Sequence, residues 1–438
     1  MSDSKSDRSA PASHVFGPRV HADIALRRTA ARSIRAAQRT LNLLQPIASG
    51  TSGRLGILFT GRSYADNFAS IVAHACWQLS DHAGLCATQV DFLVPSGVTT
   101  WPTSFPQGQV APVQIPAAFR LVDARSARLS DYGLLLLTDA RSHVDPRVVP
   151  HMGRTRIVDE SFFDVTACKG WEMAREILIT PDMEAQFERE SASLLRRLVQ
   201  SAAAFERVVV LGTGPSIQEV RTQDMSDAFV VSCNSIVKND ELLAHLRPRV
   251  ICFADPVFHT SSNLYAAAFR DDLLKVARRD ADVVFCVPRH AHGLLTRKFP
   301  ELQGRLLSVR YKAGSRRAVE PAHLLVRPTE NILTLLMLPI AVELGRTIDI
   351  GGCDGRKPDA NYFWEHDRST QYSGLMAHAF DVHPAFFRDR LYDQYYDRHL
   401  RELDGLMSWA RSRGRRFRAV TSSWIPSLSS LPRVNHGN

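Results

Sequence analysis

Residues 205–234 read FERVVVLGTGPSIQEVRTQDMSDAFVVSCN, and this stretch decides the fold. An apolar run from Val208 to Leu211 ends in a glycine turn, and a second run, Phe229 to Val231, leads to Asn234. Short apolar runs bounded by turn residues are typical of buried strands. The pattern predicts a strand, a glycine turn, a short helix and a second strand, which together begin an α/β sheet.

The glycine turn comprises Gly212, Thr213, Gly214, Pro215 and Ser216. Glycine has no Cβ, so backbone N–H groups can approach a phosphate, and a helix that starts after the turn adds partial positive charge. A dinucleotide is disfavoured, because the third glycine of the Rossmann fingerprint would fall at Ile217 and the second strand ends without an acidic ribose ligand. Two interpretations stay open: a mononucleotide site, or an α/β turn without a ligand.

Composition limits the class of protein. The chain has 438 residues, 45% of them hydrophobic, which is enough for two or three domains. Lys and Arg number 54 against 45 Asp and Glu, a net charge of +9 that favours anionic partners such as a nucleotide, an anionic glycan or a lipid head group. Seven cysteines without a C-x-x-C pair support neither a zinc site nor a disulfide framework. We expect no nucleic-acid partner, and the oligomeric state stays open.

The N-terminal residues predict two segments outside the sheets. Residues 1–22 are polar and Ser-rich, and we expect them to be disordered. Residues 23–50 predict a basic amphipathic helix, which either docks on the protein's own core or lies on a membrane surface. The N-terminus lacks the apolar core of a signal peptide, and the apolar stretch 331–342 is too short to span a bilayer. We expect a cytoplasmic protein, with attachment at the inner face of the membrane as the alternative.

Two α/β domains are predicted downstream. Residues 51–180 hold strand patterns at 55–60, 90–94, 133–138 and 156–158, with a helix at 65–79, and the sequence does not identify a ligand for this unit. A long charged helix within 181–204 joins it to the second domain, 205–430. There, further strands are predicted at 249–253, 283–287, 306–309 and 347–350, and a buried helix at 329–344. The predicted fold class is α/β with two Rossmann-like, three-layer units and mostly parallel sheets.

The order of motifs in residues 205–428 resembles a known family. The motifs are VVVLGTGPS, FVVSCN, FADP at 253–256, the buried helix, IGGCD at 350–354, Tyr362 and a late histidine. This set resembles the small bacterial sialyltransferases that cap lipooligosaccharides. It also resembles the wider group that includes motility-associated glycosyltransferases and 6-hydroxymethylpterin pyrophosphokinase-like domains.

The resemblance implies a site for a CMP-linked nonulosonic acid donor. In that family the Gly-x-Gly-Pro-Ser turn lies against CMP, which maps to Gly212 through Ser216, and an asparagine that contacts the nucleotide maps to Asn234. A second family asparagine is replaced here by Asp255, a carboxylate that would repel a phosphate unless it binds ribose or base. Asp354 is the last residue of IGGCD, which corresponds to the family's Gly-Ile-Asp segment and is expected at the same edge of the sheet. These departures leave the identity of the donor open.

The resemblance also implies catalytic residues. Two family tyrosines bind the leaving phosphate, and the corresponding positions here are Arg356 and Tyr362. A guanidinium donates two hydrogen bonds to a phosphate, so arginine suits the first position. The family base is a histidine that heads a helix after a lid, for which His383 and His378 are the candidates. We favour His383, because Pro384 suits a first helical position.

The leading hypothesis is an inverting glycosyltransferase without a cofactor, which moves a sialic-acid-like sugar from a CMP donor to a glycan or protein acceptor. One alternative is diphosphate transfer to a pterin, with Mg²⁺ held by Asp255 and Asp354. The other alternative is a catalytically degenerate scaffold at the membrane that binds a nucleotide sugar. Residues 359–372 are polar and aromatic, as expected of a lid over the donor.

Overall fold

The computed structural model describes residues 54–80, 89–111, 113–140, 142, 145–159, 170–172, 174–175, 179–312, 314, 318–356, 367–383 and 392–434, together with 29 and 33. The predicted tail, 1–22, lies outside the described residues. So does the predicted basic helix, 23–50, apart from Thr29 and Ser33, which are both helical.

The first unit is a five-stranded parallel sheet. Its strands are β1 (Arg54–Leu58), β2 (Gln89–Val94), β3 (Phe119–Asp123), β4 (Leu134–Leu137) and β5 (Thr155–Ile157). They lie in the order β3-β2-β1-β4-β5, and α1 (Gly61–Leu79) follows the central strand β1. Strand β3 was not predicted, because its sequence FRLVD is only partly buried and carries no continuous apolar run.

Helix α2 (Pro181–Ala202) leads from the first unit to the second. Its start follows from the sequence: the Thr180 side chain accepts a hydrogen bond from the Met183 N–H, and Pro181 occupies a first-turn position. Midway along the helix, the Ser191 hydroxyl accepts a hydrogen bond from the Ser308 N–H at 3.0 Å. The helix is therefore fastened to the edge of the second sheet.

The second unit is an eight-stranded sheet whose strand pairs are all parallel. Its strands are β6 (Arg207–Leu211), β7 (Ala228–Cys233), β8 (Val250–Cys252), β9 (Val284–Pro288), β10 (Leu306–Tyr311), β11 (Leu325–Val326), β12 (Thr347–Gly351) and β13 (Arg416–Ala419). Its helices are α3 (Asp240–Leu246), α4 (Leu264–Arg279), α5 (Arg289–Lys298), α6 (Leu338–Leu344), α7 (Met376–Val382), α8 (Tyr392–Arg411) and α9 (Pro426–Ser429). The strand order is β11-β10-β9-β8-β7-β6-β12-β13.

The predicted helix 329–344 forms in two parts. A π-helical stretch, Leu333–Met337, precedes α6, which places Pro339 at the start of the α-helical part. Proline lacks an N–H and is tolerated in a first helical turn, so the change of winding accommodates it. The helix packs its apolar side chains in the core on one face of the second sheet, as its hydrophobic sequence predicts.

In both sheets, later strands are added on the other side of the first strand, so the strand order reverses there. In the second unit, the chain runs from β6 to β11 on one side and then returns to place β12 and β13 on the other. Open parallel sheets bind ligands outside the carboxyl ends of the strands at such a switch point. The residues that follow β6 and β12 therefore lie where a ligand site is expected. The α/β class with two Rossmann-like units is confirmed.

Within the described ranges, no helix combines the length and the apolar character that a bilayer span requires.

Candidate functional site

The glycine turn after β6 is bonded to the loop after β12. The Gly212 N–H donates to the Gly351 carbonyl at 2.9 Å, and the Gly214 N–H donates to the Gly352 carbonyl at 2.8 Å. A Cβ on Gly212 would lie 2.5 Å from the Gly352 oxygen, and one on Gly214 would lie 2.0 Å from Asp354 Oδ2. In this structure the glycines therefore allow two loops to pack together. We predicted that their N–H groups face a phosphate, whereas here those groups donate to carbonyl oxygens.

The carboxylate of Asp354 lies at the start of the helical turn Pro215–Thr222. It accepts hydrogen bonds from the Ser216 N–H at 3.0 Å and from the Ser216 hydroxyl at 2.9 Å. The Ser216 hydroxyl also lies 2.9 Å from Thr421 Oγ1, which accepts from the Gly352 N–H. Burial raises the pKa of Asp354, while the bonds from Ser216 oppose that rise. A carboxylate thus occupies the place where the sequence predicted an anionic ligand.

Asn234 follows β7 with a φ of +49°, in the left-handed region that non-glycine residues rarely adopt. It opens a single 3₁₀ turn, Asn234–Lys238, and its side chain is partly buried. Backbone strain of this kind clusters at ligand sites. Its position at the carboxyl end of the strand beside β6 agrees with the edge that we predicted for a nucleotide.

The described part of the predicted lid, residues 367–372, lies over the glycine turn. The Asp367 N–H donates to the Thr213 carbonyl at 3.0 Å, and the Asn239 amide donates to Ser369 Oγ at 2.8 Å. Farther along, the Tyr372 hydroxyl donates to Asp272 at 2.7 Å. These bonds join the segment to the loops after β6 and β7 and to α4. The preceding residues 357–366, which include Tyr362, lie outside the described residues.

Asp255 follows β8 and caps the π-helical turn Pro256–Thr260. Its carboxylate accepts a hydrogen bond from the Val257 N–H at 2.9 Å. Asp354 is likewise bonded to backbone, at Ser216. Among the residues that the structure describes, no group of three or more His, Cys, Asp or Glu side chains is arranged to hold a metal ion.

His383 is the C-cap that follows α7, and its backbone N–H donates to the Ala379 carbonyl. We predicted that it heads a helix before Pro384; the residues from 384 to 391 lie outside the described part of the chain. Its Nε2 lies 2.6 Å from the Ser261 hydroxyl, and its ring centroid lies 5.2 Å from that of His74 on α1. The imidazole is buried between the two units.

A small cavity opens beside this pair. Its lining residues come from both units: His74, Gln78, Trp171, Glu172, Arg175, Pro256, Ser261 and His383. Burial lowers the pKa of His383 well below its ordinary value, and the nearby His74 adds to this effect. Burial lowers the pKa of His74 to about 4, although a hydrogen bond with Ser70 acts in the opposite direction. Both imidazoles are therefore neutral near pH 7, which is the form that accepts a proton.

A second polar pair borders the cavity. His290 follows β9, and its Nε2 lies 3.1 Å from a carboxylate oxygen of Glu172. The His290 ring meets Tyr311, at the end of β10, edge to face at 5.8 Å. Burial raises the pKa of the Tyr311 hydroxyl, and the neighbouring Glu172 carboxylate adds to the rise. The carboxyl ends of β8, β9 and β10 therefore meet the first unit at this interface.

His378, the second candidate base, lies elsewhere on α7. Its backbone packs against Gly108 of the first unit so closely that a Cβ on this glycine would lie 2.8 Å from the His378 carbonyl oxygen. Its Nδ1 is buried without a hydrogen-bond partner in the described structure. It does not line the cavity that holds His383.

Arg356 turns toward α8. Its guanidinium pairs with Asp393 and lies over the Tyr396 ring, 5.1 Å from the centroid. The Tyr396 hydroxyl accepts a hydrogen bond from the Arg356 N–H at 3.4 Å. In this structure the arginine is therefore held by an exposed carboxylate and an aromatic ring.

Several residues of the cavity were missed from the sequence. Ser261 and the first-unit residues His74, Trp171 and Glu172 were not predicted, and no local motif marks them. The common reason is that the cavity forms where the two sheets meet, between residues far apart in the sequence.

Comparisons with known proteins find structural similarity alone. No family model matches the chain, and no curated protein matches it. Among solved structures, the monofunctional α-2,3-sialyltransferase Cst-I from Campylobacter jejuni is 13% identical, with a TM-score of 0.32; the match covers 53% of this chain and 86% of that one.

Two structures of the sialyltransferase CstII from Campylobacter jejuni also match. The complex with the substrate analogue CMP-3FNeuAc is 14% identical, with a TM-score of 0.26, over 53% of this chain and 92% of that chain. The complex with cytidine-5′-monophosphate is 13% identical, with a TM-score of 0.24, over 53% of this chain and 91% of that chain.

Proposed function

We propose that this protein is an inverting glycosyltransferase that moves a sialic-acid-like sugar from a CMP donor to a hydroxyl acceptor, with His383 as the general base. The observation that carries the proposal is the His383 pair: a buried imidazole 2.6 Å from a hydroxyl, at the carboxyl edge of the second sheet. Burial lowers the pKa of His383, which favours the neutral form that accepts a proton. The class of donor is inferred from the ordered motifs at 205–428, which resemble those of bacterial sialyltransferases.

The nucleotide is assigned to the edge formed by Ser216, Asn234 and Asp354. Because the Asp354 carboxylate already accepts the hydrogen bonds of Ser216, two anions would repel each other there. The proposal therefore puts a ribose hydroxyl, a donor, next to Asp354. The phosphate then lies away from this carboxylate, with Tyr362 and Arg356 as its proposed partners.

The chemistry needs one proton acceptor and one stabilised leaving group. The acceptor hydroxyl loses its proton toward His383 as its oxygen attacks the anomeric carbon of the donor. The bond from that carbon to the phosphate oxygen breaks, and the electron pair leaves with CMP. Positively charged or hydrogen-bonding groups near the phosphate lower the barrier, because charge develops on it in the transition state.

Release of CMP from CMP-N-acetylneuraminic acid tests the proposal. We expect His383→Ala to lower the rate by about 100-fold or more, since a positioned base typically contributes that much. His323→Ala, which changes an exposed histidine, is the matched control and should match the wild type. Equal rates for the two variants would contradict the role of His383.

A thermal-shift panel tests the nucleotide class. We expect CMP or CDP to raise the Tm, and UDP, GDP, ATP and NAD to leave it unchanged, with or without Mg²⁺. Stabilisation by ATP only with Mg²⁺, and loss of activity in EDTA, would favour the diphosphotransferase instead. If His383→Ala and Tyr362→Phe both leave the cellular phenotype intact, the result supports the scaffold hypothesis instead.

A further inference from the structure

The backbone around Ser261 is bonded to the first unit on both sides. Before this residue, the Trp77 indole N–H on α1 donates to the Thr260 carbonyl at 2.7 Å. After it, the Val110 N–H donates to the Ser262 carbonyl at 2.9 Å. Both donors lie in the first unit, whereas Ser261 belongs to the second. The first unit therefore restrains the residue whose hydroxyl lies 2.6 Å from Nε2 of the proposed base.

Arg270 on α4 restrains the same segment from within the second unit. Its Nη1 donates to the Ser261 carbonyl at 2.7 Å and to the His259 carbonyl at 3.1 Å. Arg270 is 3% exposed, and its guanidinium is bonded to no carboxylate among the residues that the structure describes. Burial lowers its pKa to about 9, although the nearby Asp271 opposes the shift, so the side chain stays charged near pH 7. A buried cation is costly and needs a compensating environment.

The Trp77 ring supplies part of that environment. The Arg270 guanidinium carbon lies 4.3 Å from the ring centroid, and the Lys298 nitrogen lies 4.6 Å from it. Cation–π attraction of this kind is strongest when the pair is shielded from water. Trp77 thus bonds the Thr260 carbonyl through its N–H. Through its ring face it stabilises the cation that bonds the Ser261 carbonyl.

The hydrogen bonds of Ser261 determine which nitrogen of His383 carries the proton. Ser261 Oγ already accepts from the Asn263 N–H at 3.4 Å, and within the described structure the Ser261 proton finds no acceptor other than Nε2 of His383. Ser261 therefore donates to Nε2, and a neutral imidazole then has its proton on Nδ1. Nε2 is left as the nitrogen that can take up a proton.

We propose that the first unit is a positioning unit for the base of the second: Trp77 and Arg270 hold Ser261 so that Nε2 of His383 stays unprotonated. The assignment rests on the proposed function, in which His383 is the base. Trp77 and Arg270 act through the backbone of Thr260 and Ser261, so they are positioning residues. When the segment shifts, Ser261 no longer donates to Nε2. The ring proton can then move to Nε2, and in that tautomer Nε2 cannot accept a proton.

The ring signals of His383 test the positioning directly. Protein labelled with ¹⁵N-histidine gives separate NMR signals for the two ring nitrogens, which report where the proton lies, and H383Q identifies the signals of His383. At pH 7 we expect the proton on Nδ1 in the wild type. W77F keeps a ring but removes the N–H donor, and there we expect a measurable population with the proton on Nε2. A proton on Nε2 in the wild type, or wild-type signals in W77F, would overturn the proposal.

Matched variants separate positioning from a general loss of stability. W101F makes the same change beside Phe92 in the first unit and should keep the wild-type signals of His383. Arg270→Met removes both bonds to the segment, and it replaces W77F as the test if W77F does not fold. Arg278→Met, at an exposed position of α4, is its control. A lower Tm in W77F and R270M with the proton still on Nδ1 would mean that the two residues are only structural, which would overturn the proposal.

Kinetics give a second readout and separate the two proposals. For W77F we expect the kcat of CMP release from CMP-N-acetylneuraminic acid to fall about tenfold, the size of one lost hydrogen bond, with the KM of the donor unchanged. The NMR experiment uses no donor, so a wild type that releases no CMP disproves the proposed function, while the ring signals still test the restraint on His383. Release of CMP by W77F at the wild-type kcat, with wild-type ring signals, disproves the positioning and leaves the transferase in place.

Discussion

The Asp354 carboxylate and the Ser216 backbone N–H are joined at 3.0 Å, across the switch point of the second sheet. The same carboxylate accepts from the Ser216 hydroxyl at 2.9 Å, so one side chain fastens the loop after β12 to the turn after β6. The helical turn that contains Ser216 therefore begins beside a carboxylate of the protein itself. It also determines which part of a ligand can approach this edge.

The first prediction concerns the stability that this contact provides. Asp354→Ala leaves the Ser216 N–H buried without its acceptor, and we expect a loss of about 1–3 kcal/mol in the free energy of unfolding. Asp354→Asn keeps one acceptor oxygen and should lose less. Urea denaturation measures both, with Asp404→Ala, an exposed position, as the control. Equal midpoints for D354A and D404A would contradict the fastening role.

The second prediction concerns the close approach of the two loops. Gly214→Ala places a Cβ 2.0 Å from Asp354 Oδ2, so the loops must separate or the side chain must move. We expect a destabilisation of about 2 kcal/mol or more, in the range of overpacked cores. Gly374→Ala is the matched control, because no atom lies within 4 Å of its added Cβ. Differential scanning calorimetry compares the two, and a G214A variant as stable as G374A would refute the packing argument.

The third prediction concerns the pH dependence of transfer. Burial and the nearby His74 lower the pKa of His383 well below 6.5, so the base stays unprotonated far into the acid range. We expect kcat/KM to remain flat on acidification through pH 6.5 and to fall only well below it. Initial rates at saturating acceptor and low donor measure the profile. An acid limb centred at 6.5 would mean that the acting base is an exposed histidine.

The fourth prediction concerns stability in acid. Burial lowers the pKa of His399 on α8 to about 4, while an unfolded histidine titrates near 6.5. Between these values the unfolded state binds more protons, so the contribution is fully present above 6.5 and is lost as the pH falls toward 4. The loss reaches about 2 kcal/mol at pH 5. We expect His399→Gln to flatten the decline of the unfolding free energy between pH 6.5 and 5.

Urea titrations at several pH values check this slope. His323→Gln, at an exposed position, is the control and should keep the wild-type slope. A wild-type slope in H399Q as well would show that His399 does not contribute to the acid sensitivity.

Much of the architecture could be predicted, because local sequence patterns of apolar runs and turn residues determine it. The run at 208–211, the glycine turn and the run at 229–231 became β6, the turn and β7, since an apolar run bounded by turn residues has few alternatives. Strand β3, which is partly exposed, was not predicted, because it lacks such a run. Residues that follow strands, such as Asn234 and Asp255, were expected at one edge of the sheet, and parallel pairing puts them there.

The sequence by itself determined the two parallel sheets and the polar tips of their strands, because backbone periodicity and turn chemistry act between neighbours in the chain. Only the tertiary structure decided what those tips meet. Asp354 reaches Ser216, and His383 reaches Ser261 and His74, across separations of many residues. Such contacts depend on how whole sheets and helices pack, a property that no short stretch of sequence carries.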